Sequence, residues 1–320
     1  MIELQPEVLR QVAGFDVGPQ ADILKPARRL FIVGTGTSFH AAEMGAFLLS
    51  QHGIDAIAVR SANAARWRPA VVEGDGFVVI SHTGETAYAR TVRAALQAQG
   101  APLVTITGEH AGWEEAIATP THERSETYTV SYTAALAVIG LLAHALTGSG
   151  TGADALYGVA DQVEAVIAEP AIEHIEVPAR ALAIVGPGVW GVTAREGALK
   201  IRESAHILAE GFDAETLLHG YAVPYGDEDT LVVLQPESDA DELTAGLGLA
   251  AAAEGMKVHV LGAGFGGDGA AQTFMAQIPA TVLLQLLASQ LTDAKGTDPD
   301  TAITGAWART ELWSAGGPPE

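Results

Sequence analysis

The chain has 320 residues, 48% of them apolar and 18% charged, enough for one large domain or two modest ones around a sizeable core. Its 39 Asp and Glu against 17 Lys and Arg give a net charge of −22, which argues against a nucleic-acid partner. With no cysteine, disulfides, thiolate metal sites and cysteine nucleophiles are excluded.

Residues 1–24 read as an N-terminal helix, Pro6 to Ala13, and a loop, with no basic segment of the kind that opens a signal peptide. Leu30 to Val33 is an apolar strand closed by Gly34-Thr35-Gly36-Thr37-Ser38, and a helix follows from Ala41 to Gln51. Ala56 to Val59 is the next strand. Val78-Val79-Ile80 then runs into Ser81-His82-Thr83-Gly84-Glu85-Thr86 and an alanine-rich helix, Ala87 to Gly100. Ser81, Thr83 and Thr86 carry hydroxyls beside free helix N–H groups, a set that suits an anion and also suits an ordinary helix cap. A strand over Leu103 to Thr107, a candidate edge strand over Thr127 to Val130 and a buried helix from Tyr132 to Leu146 complete this half. The longest apolar run, Ala134 to Leu146, falls short of the ~18–20 residues of a membrane span. A soluble, cytoplasmic protein is expected, with no membrane partner.

Thr147-Gly148-Ser149-Gly150-Thr151-Gly152 is the best linker candidate, and a bridging helix over Ala153 to Glu169 opens a second half in which the pattern recurs. Gly186-Pro187-Gly188 lies 152 positions after Gly34-Thr35-Gly36, the strand at Leu231 lies 153 after Val78, and the strand at Val258 lies 155 after Leu103. Strands alternating with helices predict an α/β fold, and three in-step matches predict a duplication: two tandem domains, each a parallel, doubly wound sheet flanked by helices. The expected boundaries are 25–150 and 151–294, with a C-terminal tail at 295–320. The second copy has Gln235-Pro236-Glu237-Ser238 where the first has its hydroxyl loop, so the first half is the expected anion binder.

Thr193 to Phe212 reads as one helix with Glu196, Lys200 and Glu203 on one face, for which a surface ion pair is the plainer reading. His219 sits between an apolar pair and a glycine, where histidine is more often structural. Together a carboxylate, an amine and an imidazole near an anion loop can move protons on a sugar.

These stretches resemble the sugar isomerase (SIS) domain proteins, in particular the isomerase half of glucosamine-6-phosphate synthase and its stand-alone relatives. The resemblance is carried in family order by Gly34 to Ser38, Ser81 to Thr86, Glu196-Gly197-Ala198-Leu199-Lys200-Ile201-Arg202-Glu203, Leu218-His219-Gly220 and Lys295-Gly296-Thr297-Asp298-Pro299-Asp300. It implies that Thr37, Ser38, Ser81, His82, Thr83, Thr86 and Ser131 hold a sugar 6-phosphate. It further implies that Glu203 moves a proton between C1 and C2 with Lys200 beside it, and that His219 assists ring opening from a neighbouring subunit in a homodimer. No metal or other cofactor is implied.

Three departures stand out. The synthase's glutaminase domain has no counterpart here, Trp307 occupies the place of its Schiff-base lysine, and His82 replaces a loop glutamine. The leading expectation is therefore a glucosamine-6-phosphate deaminase yielding fructose 6-phosphate and ammonia. A fructosamine-6-phosphate deglycase, a simple aldose–ketose phosphate isomerase and a non-catalytic sugar-phosphate sensor are the alternatives.

Overall fold

The computed structural model describes residues 1–66, 73–236, 242–262, 264–267 and 269–318. Helices α1 (Gln5–Ala13) and α2 (Gly18–Leu24) lead into β1 (Arg29–Gly34), α3 (Thr37–Gln51), β2 (Ala56–Arg60) and α4 (Ser61–Arg66). Next come β3 (Asp75–Ile80), α5 (Ala87–Ala98), β4 (Leu103–Gly108), β5 (Ala116–Thr119), α6 (Val130–Thr147) and α7 (Ala153–Ala168). The second half contains β6 (Ala181–Gly186), α8 (Trp190–Ala205), β7 (Leu208–Asp213), the single turn α9 (Ala214–Thr216) and β8 (Thr230–Leu234). It continues through α10 (Leu243–Ala253), β9 (Lys257–Leu261) and α11 (Ala270–Lys295), and the tail carries α12 (Thr310–Ser314).

Two parallel sheets result, ordered β2-β1-β3-β4-β5 and β7-β6-β8-β9. Their central strands are continuous apolar runs because helices cover both faces. β1 and β6 are 152 positions apart at both ends (29 to 181, 34 to 186). Ile32 pairs with Val78 as Ile184 pairs with Val232, which makes the β3-to-β8 offset 154 rather than the 153 read from where the apolar runs begin. Of the expected counterpart loop Gln235 to Ser238, Glu237 and Ser238 lie outside the described residues.

Three expectations are corrected. Thr127 to Val130 is not an edge strand; the Glu123 carboxylate accepts the Thr129 and Ser131 N–H groups, so this stretch caps α6, and β5 forms the edge instead. The helix expected over 193–212 stops at Ala205, where His206 takes a left-handed φ of 53°, and the chain then returns as β7 beside β6. The run from Thr147 to Gly152 is a packed turn rather than a loose linker: Thr151 is fully buried and its hydroxyl donates to the Gly140 carbonyl at 2.6 Å.

The sequence reading did not anticipate α11. It is apolar on nearly every side and contains Pro279, so it shows no one-sided stripe. It lies against both halves: Phe274, Ile278 and Val282 join the core built on α1, α6 and α7, while Leu284, Leu287 and Leu291 join that of the second sheet. By length and composition α6 and α11 are each apolar enough to cross a membrane, and 78% and 83% of their apolar windows are buried inside the protein.

β7 passes so close to α8 that a Cβ on Gly211 would lie 2.3 Å from the Ala194 carbonyl carbon and oxygen. Backbone cannot yield as a side chain does. Gly211→Ala is therefore expected to lower the unfolding free energy by about 1–3 kcal/mol or more, measured by urea denaturation.

Candidate active site

A cleft of about 620 Å³ opens at the C-terminal ends of the first sheet's strands. This is where parallel α/β sheets place ligands. The loop after β1 contributes Thr37 and Ser38, and the loop after β3 contributes His82, Thr83 and Thr86. The start of α6 adds Tyr128, Ser131 and Tyr132, α8 adds Leu199 and Glu203, and the tail adds Ile303, Ala308 and Trp313.

One end gathers donors of the kind that suit an oxyanion. α3 begins at Thr37, earlier than the expected Ala41, so Thr37 and Ser38 sit in its first turn, and Thr86 is the N-cap of α5. Two helix N-termini and several hydroxyls converge there, and no Lys or Arg is among the described residues lining the cleft. Gly34 is required for the tight strand-to-helix turn, since a Cβ would meet the Ser38 carbonyl oxygen at 2.2 Å. Ser81 is set back from the lining. It is buried, with its hydroxyl 3.5 Å from that of Thr86, so it supports the loop rather than facing the cleft. His82 Nε2 accepts the Glu123 N–H at 3.3 Å, which puts the ring proton on Nδ1. Burial, with His110 and His122 nearby, pushes the His82 imidazole down to about 4, so it meets an anion as a neutral group.

The other end is a chain of charges. Glu196 and Lys200 are both 0% exposed, which overturns the surface ion pair: this face of α8 packs against α3 and α11, away from solvent. Lys200 Nζ lies 2.7 Å from Glu203 and 3.5 Å from Glu196. Glu196 in turn accepts the Thr37 hydroxyl at 3.0 Å and lies 2.6 Å from His40 Nδ1. Burial would raise the Glu196 carboxyl, but the Lys200 charge and the His40 and Thr37 hydrogen bonds outweigh it and hold Glu196 below the ordinary carboxylate range. Burial works against Lys200 too, yet the two carboxylates keep it above the usual amine range. For Glu203 burial wins over Lys200, and its carboxyl is raised. A raised carboxylate at a cleft wall is suited to a general base.

His219 is not in the cleft. It lies exposed in a turn over Leu217–Tyr221, with Leu218, Tyr221 and Val223 exposed around it. The structure also adds residues that the sequence reading missed: His40, Glu123, Tyr128, Tyr132 and the tail wall. Only His40 had a usable signal, its place one helical turn after Thr37. Among the described residues, no group of three or more His, Asp or Glu is placed to hold a metal ion.

Comparison with known families matches residues 23–145 to the SIS domain. Residues 23–145 are an SIS domain. The chain is 29% identical over 325 aligned positions to the glutamine–fructose-6-phosphate aminotransferase (isomerizing) of Zymomonas mobilis, covering 91% of this chain and 54% of that protein. The chain thus spans about half the length of the curated relatives it matches. The SIS domain fold is shared with the C-terminal domain of glucosamine-fructose-6-phosphate aminotransferase from Francisella tularensis, with TM-score 0.79 and 21% identity over 93% of this chain and 96% of that one. It is shared also with a glucosamine-6-phosphate deaminase from Thermotoga maritima, with TM-score 0.77 and 18% identity over 94% and 95% of the two chains.

The raised Glu203 carboxyl has a consequence for stability. Folding disfavours its ionised form, so the cost is absent below the unfolded-state pKa, grows as pH rises through the window between the unfolded and folded values, and is complete above it. Glu203→Gln is expected to melt above wild type at pH 7, with the difference shrinking to nothing as pH falls below the ordinary glutamate value. Calorimetric Tm against pH measures this.

Proposed function

We propose that the chain is a sugar-phosphate isomerase-type enzyme built from two tandem SIS domains, 25–150 and 151–294, and that its substrate is an aminosugar 6-phosphate. The observation that carries this reading is one cleft shared by two unlike ends: Ser38, Thr83 and Thr86 at the anion end, and Glu203 with Lys200 at 2.7 Å at the other. The printed activities of the relatives support the substrate class.

The reaction is glucosamine 6-phosphate plus water giving fructose 6-phosphate plus ammonia. The hydroxyls and helix N-termini hold the phosphate. Once the ring is open, Glu203 removes the C2 proton, forming an enolamine, and returns a proton to C1, leaving an imine at C2. Lys200 stays charged beside Glu203 and steadies the carboxylate that results from proton return. Water adds to the imine carbon and ammonia leaves. His219 assists ring opening from a second copy of the chain, and the exposed Leu218, Tyr221 and Val223 form part of the contact that brings it there. The site works in a cytoplasmic homodimer.

One observation favours a second reading. The tail closes the cleft with Ile303, Ala308 and Trp313 instead of an amine, and Trp307, at the lysine position, is 78% exposed. An apolar wall suits a larger amine on C1, as in a fructosamine 6-phosphate deglycase.

Purified protein given glucosamine 6-phosphate is expected to release ammonia and fructose 6-phosphate in equal amounts. No ammonia, with turnover of a fructosamine 6-phosphate, establishes the second reading instead. Glu203→Gln should remove at least about 99% of the rate, as loss of a general base does, while phosphate-ligand binding persists. Mixing inactive Glu203→Gln with inactive His219→Asn should restore part of the rate, because a mixed dimer holds one intact shared site. Absence of recovery refutes the shared site.

A further inference from the structure

A line of bonded groups leads from Glu203 out of the cleft and into the contact between α8 and α3. Lys200 Nζ stands 2.7 Å from Glu203 Oε2 and 3.5 Å from Glu196 Oε1, so one buried ammonium is shared unequally between two carboxylates. Glu196 Oε1 also accepts the Thr37 hydroxyl at 3.0 Å, and its other oxygen, Oε2, lies 2.6 Å from His40 Nδ1. An ionised carboxylate can only accept, so the His40 ring carries a proton on Nδ1. His40 is 9% exposed and is not among the described residues lining the cleft. Any part it plays in the chemistry is therefore played through Glu196.

From this connection we infer that His40 is a positioning residue: by satisfying Glu196 Oε2 it leaves Lys200 standing against Glu203, and so sets the pH range in which Glu203 acts as a base. The inference rests on the reading of Glu203 as the proton carrier and deepens it. Without the His40 donor, Glu196 is a fully buried carboxylate short of one bond. Of the groups that hold Glu196 ionised against burial, Lys200 acts most strongly, so Glu196 stays an anion and draws the ammonium toward itself. Glu203, which burial already raises, then loses part of the charge that steadies its ionised form, and its midpoint moves further up. The titratable groups facing Glu203 are Lys200 and Glu196 on its own helix, His40 on α3 and Tyr128 on the lead-in to α6, with Glu123 beyond Lys200. Of the three that face Glu203 from α3 and α8, His40 alone can be replaced without removing a charged member of the buried cluster's carboxylate–amine pairs.

The test titrates the Glu203 carboxyl by carbon NMR in the full chain labelled at its glutamate carboxyls, the signal being assigned by its loss in Glu203→Gln. In His40→Leu the midpoint is expected about one pH unit above that of wild type. His40→Asn, whose amide can stand at the Nδ1 position, is expected to restore it. Glu43→Gln breaks the 2.8 Å pair with Arg195 at the same α3–α8 contact without touching Glu196, and is expected to leave the midpoint in place. Where His40→Leu is too unstable to titrate, His40→Gln, whose amide reaches the Nε2 position instead, replaces it with the same expectation. An unchanged or lowered midpoint overturns the inference. So does a midpoint in His40→Asn as high as in His40→Leu, and so does an equal rise in Glu43→Gln, which reports loosened packing alone. With glucosamine 6-phosphate as substrate, kcat of His40→Leu is expected about 10-fold below wild type on the acid side of both midpoints and level with it well above them. A loss of kcat that is the same at every pH is a structural effect and overturns the inference. If wild type does not turn over glucosamine 6-phosphate, the reaction reading fails, and the carboxyl titration still decides this inference.

Discussion

A carboxylate with no exposed surface stays ionised only where other groups replace its water, and Glu196 meets that condition with partners drawn from both halves of the chain. Thr37 and His40 reach it from α3, and Lys200 reaches it from its own helix. Two of these partners have a second task. Thr37 opens the helix whose first turn faces the anion end, and Lys200 carries the charge beside Glu203. The relative placement of the two ends of the cleft is thus written into one buried hydrogen-bonded cluster. Loss of Thr37, His40 or Lys200 leaves the buried Glu196 charge short of a partner, a far larger penalty than the loss of an exposed pair.

The chain shows why such a cluster is hard to read from sequence. Glu196 and Lys200 stand four apart on a helix, and that spacing is the same on a wet face and in a dry one. What differs is the neighbour: α11 and α3 cover this face, and α11 itself gives no periodic signal because it is buried on nearly all sides. The strands were easier. Short apolar runs bounded by Gly and Ser/Thr appear where β1, β3, β4, β6, β8 and β9 lie, and the repeat distance between β1 and β6 holds at both ends. The mistakes came where a local pattern was ambiguous. Leu208 to Asp213 continues a helix-like run in sequence, but Gly211 fits only against the backbone of α8. Thr127 to Val130 looks like a strand by residue type, yet its N–H groups turn to a carboxylate at Glu123.

At the site, residue types were legible and distances were not. Thr37, Ser38, His82, Thr83, Thr86, Ser131 and Glu203 meet in one cleft, whereas Ser81 backs the loop and His219 faces outward. The tail was read as a departure from a pattern, and the fold gives it a place: Thr91 and Glu126 hold Gly316 and Ile303 at 2.7 and 3.1 Å, so the last residues form a wall of the cleft.

The absence of Lys and Arg from the described lining, in a protein of net charge −22, bears on how the proposed anion end would tell ligands apart. A guanidinium draws in any anion, whatever its outline, and the surrounding field adds to the pull. Here the net charge opposes anions, so under the proposed reading capture would depend on hydroxyls and N–H dipoles, which reach only about 3 Å. Such a receptor would respond to the tetrahedral outline of an oxyanion more than to its charge.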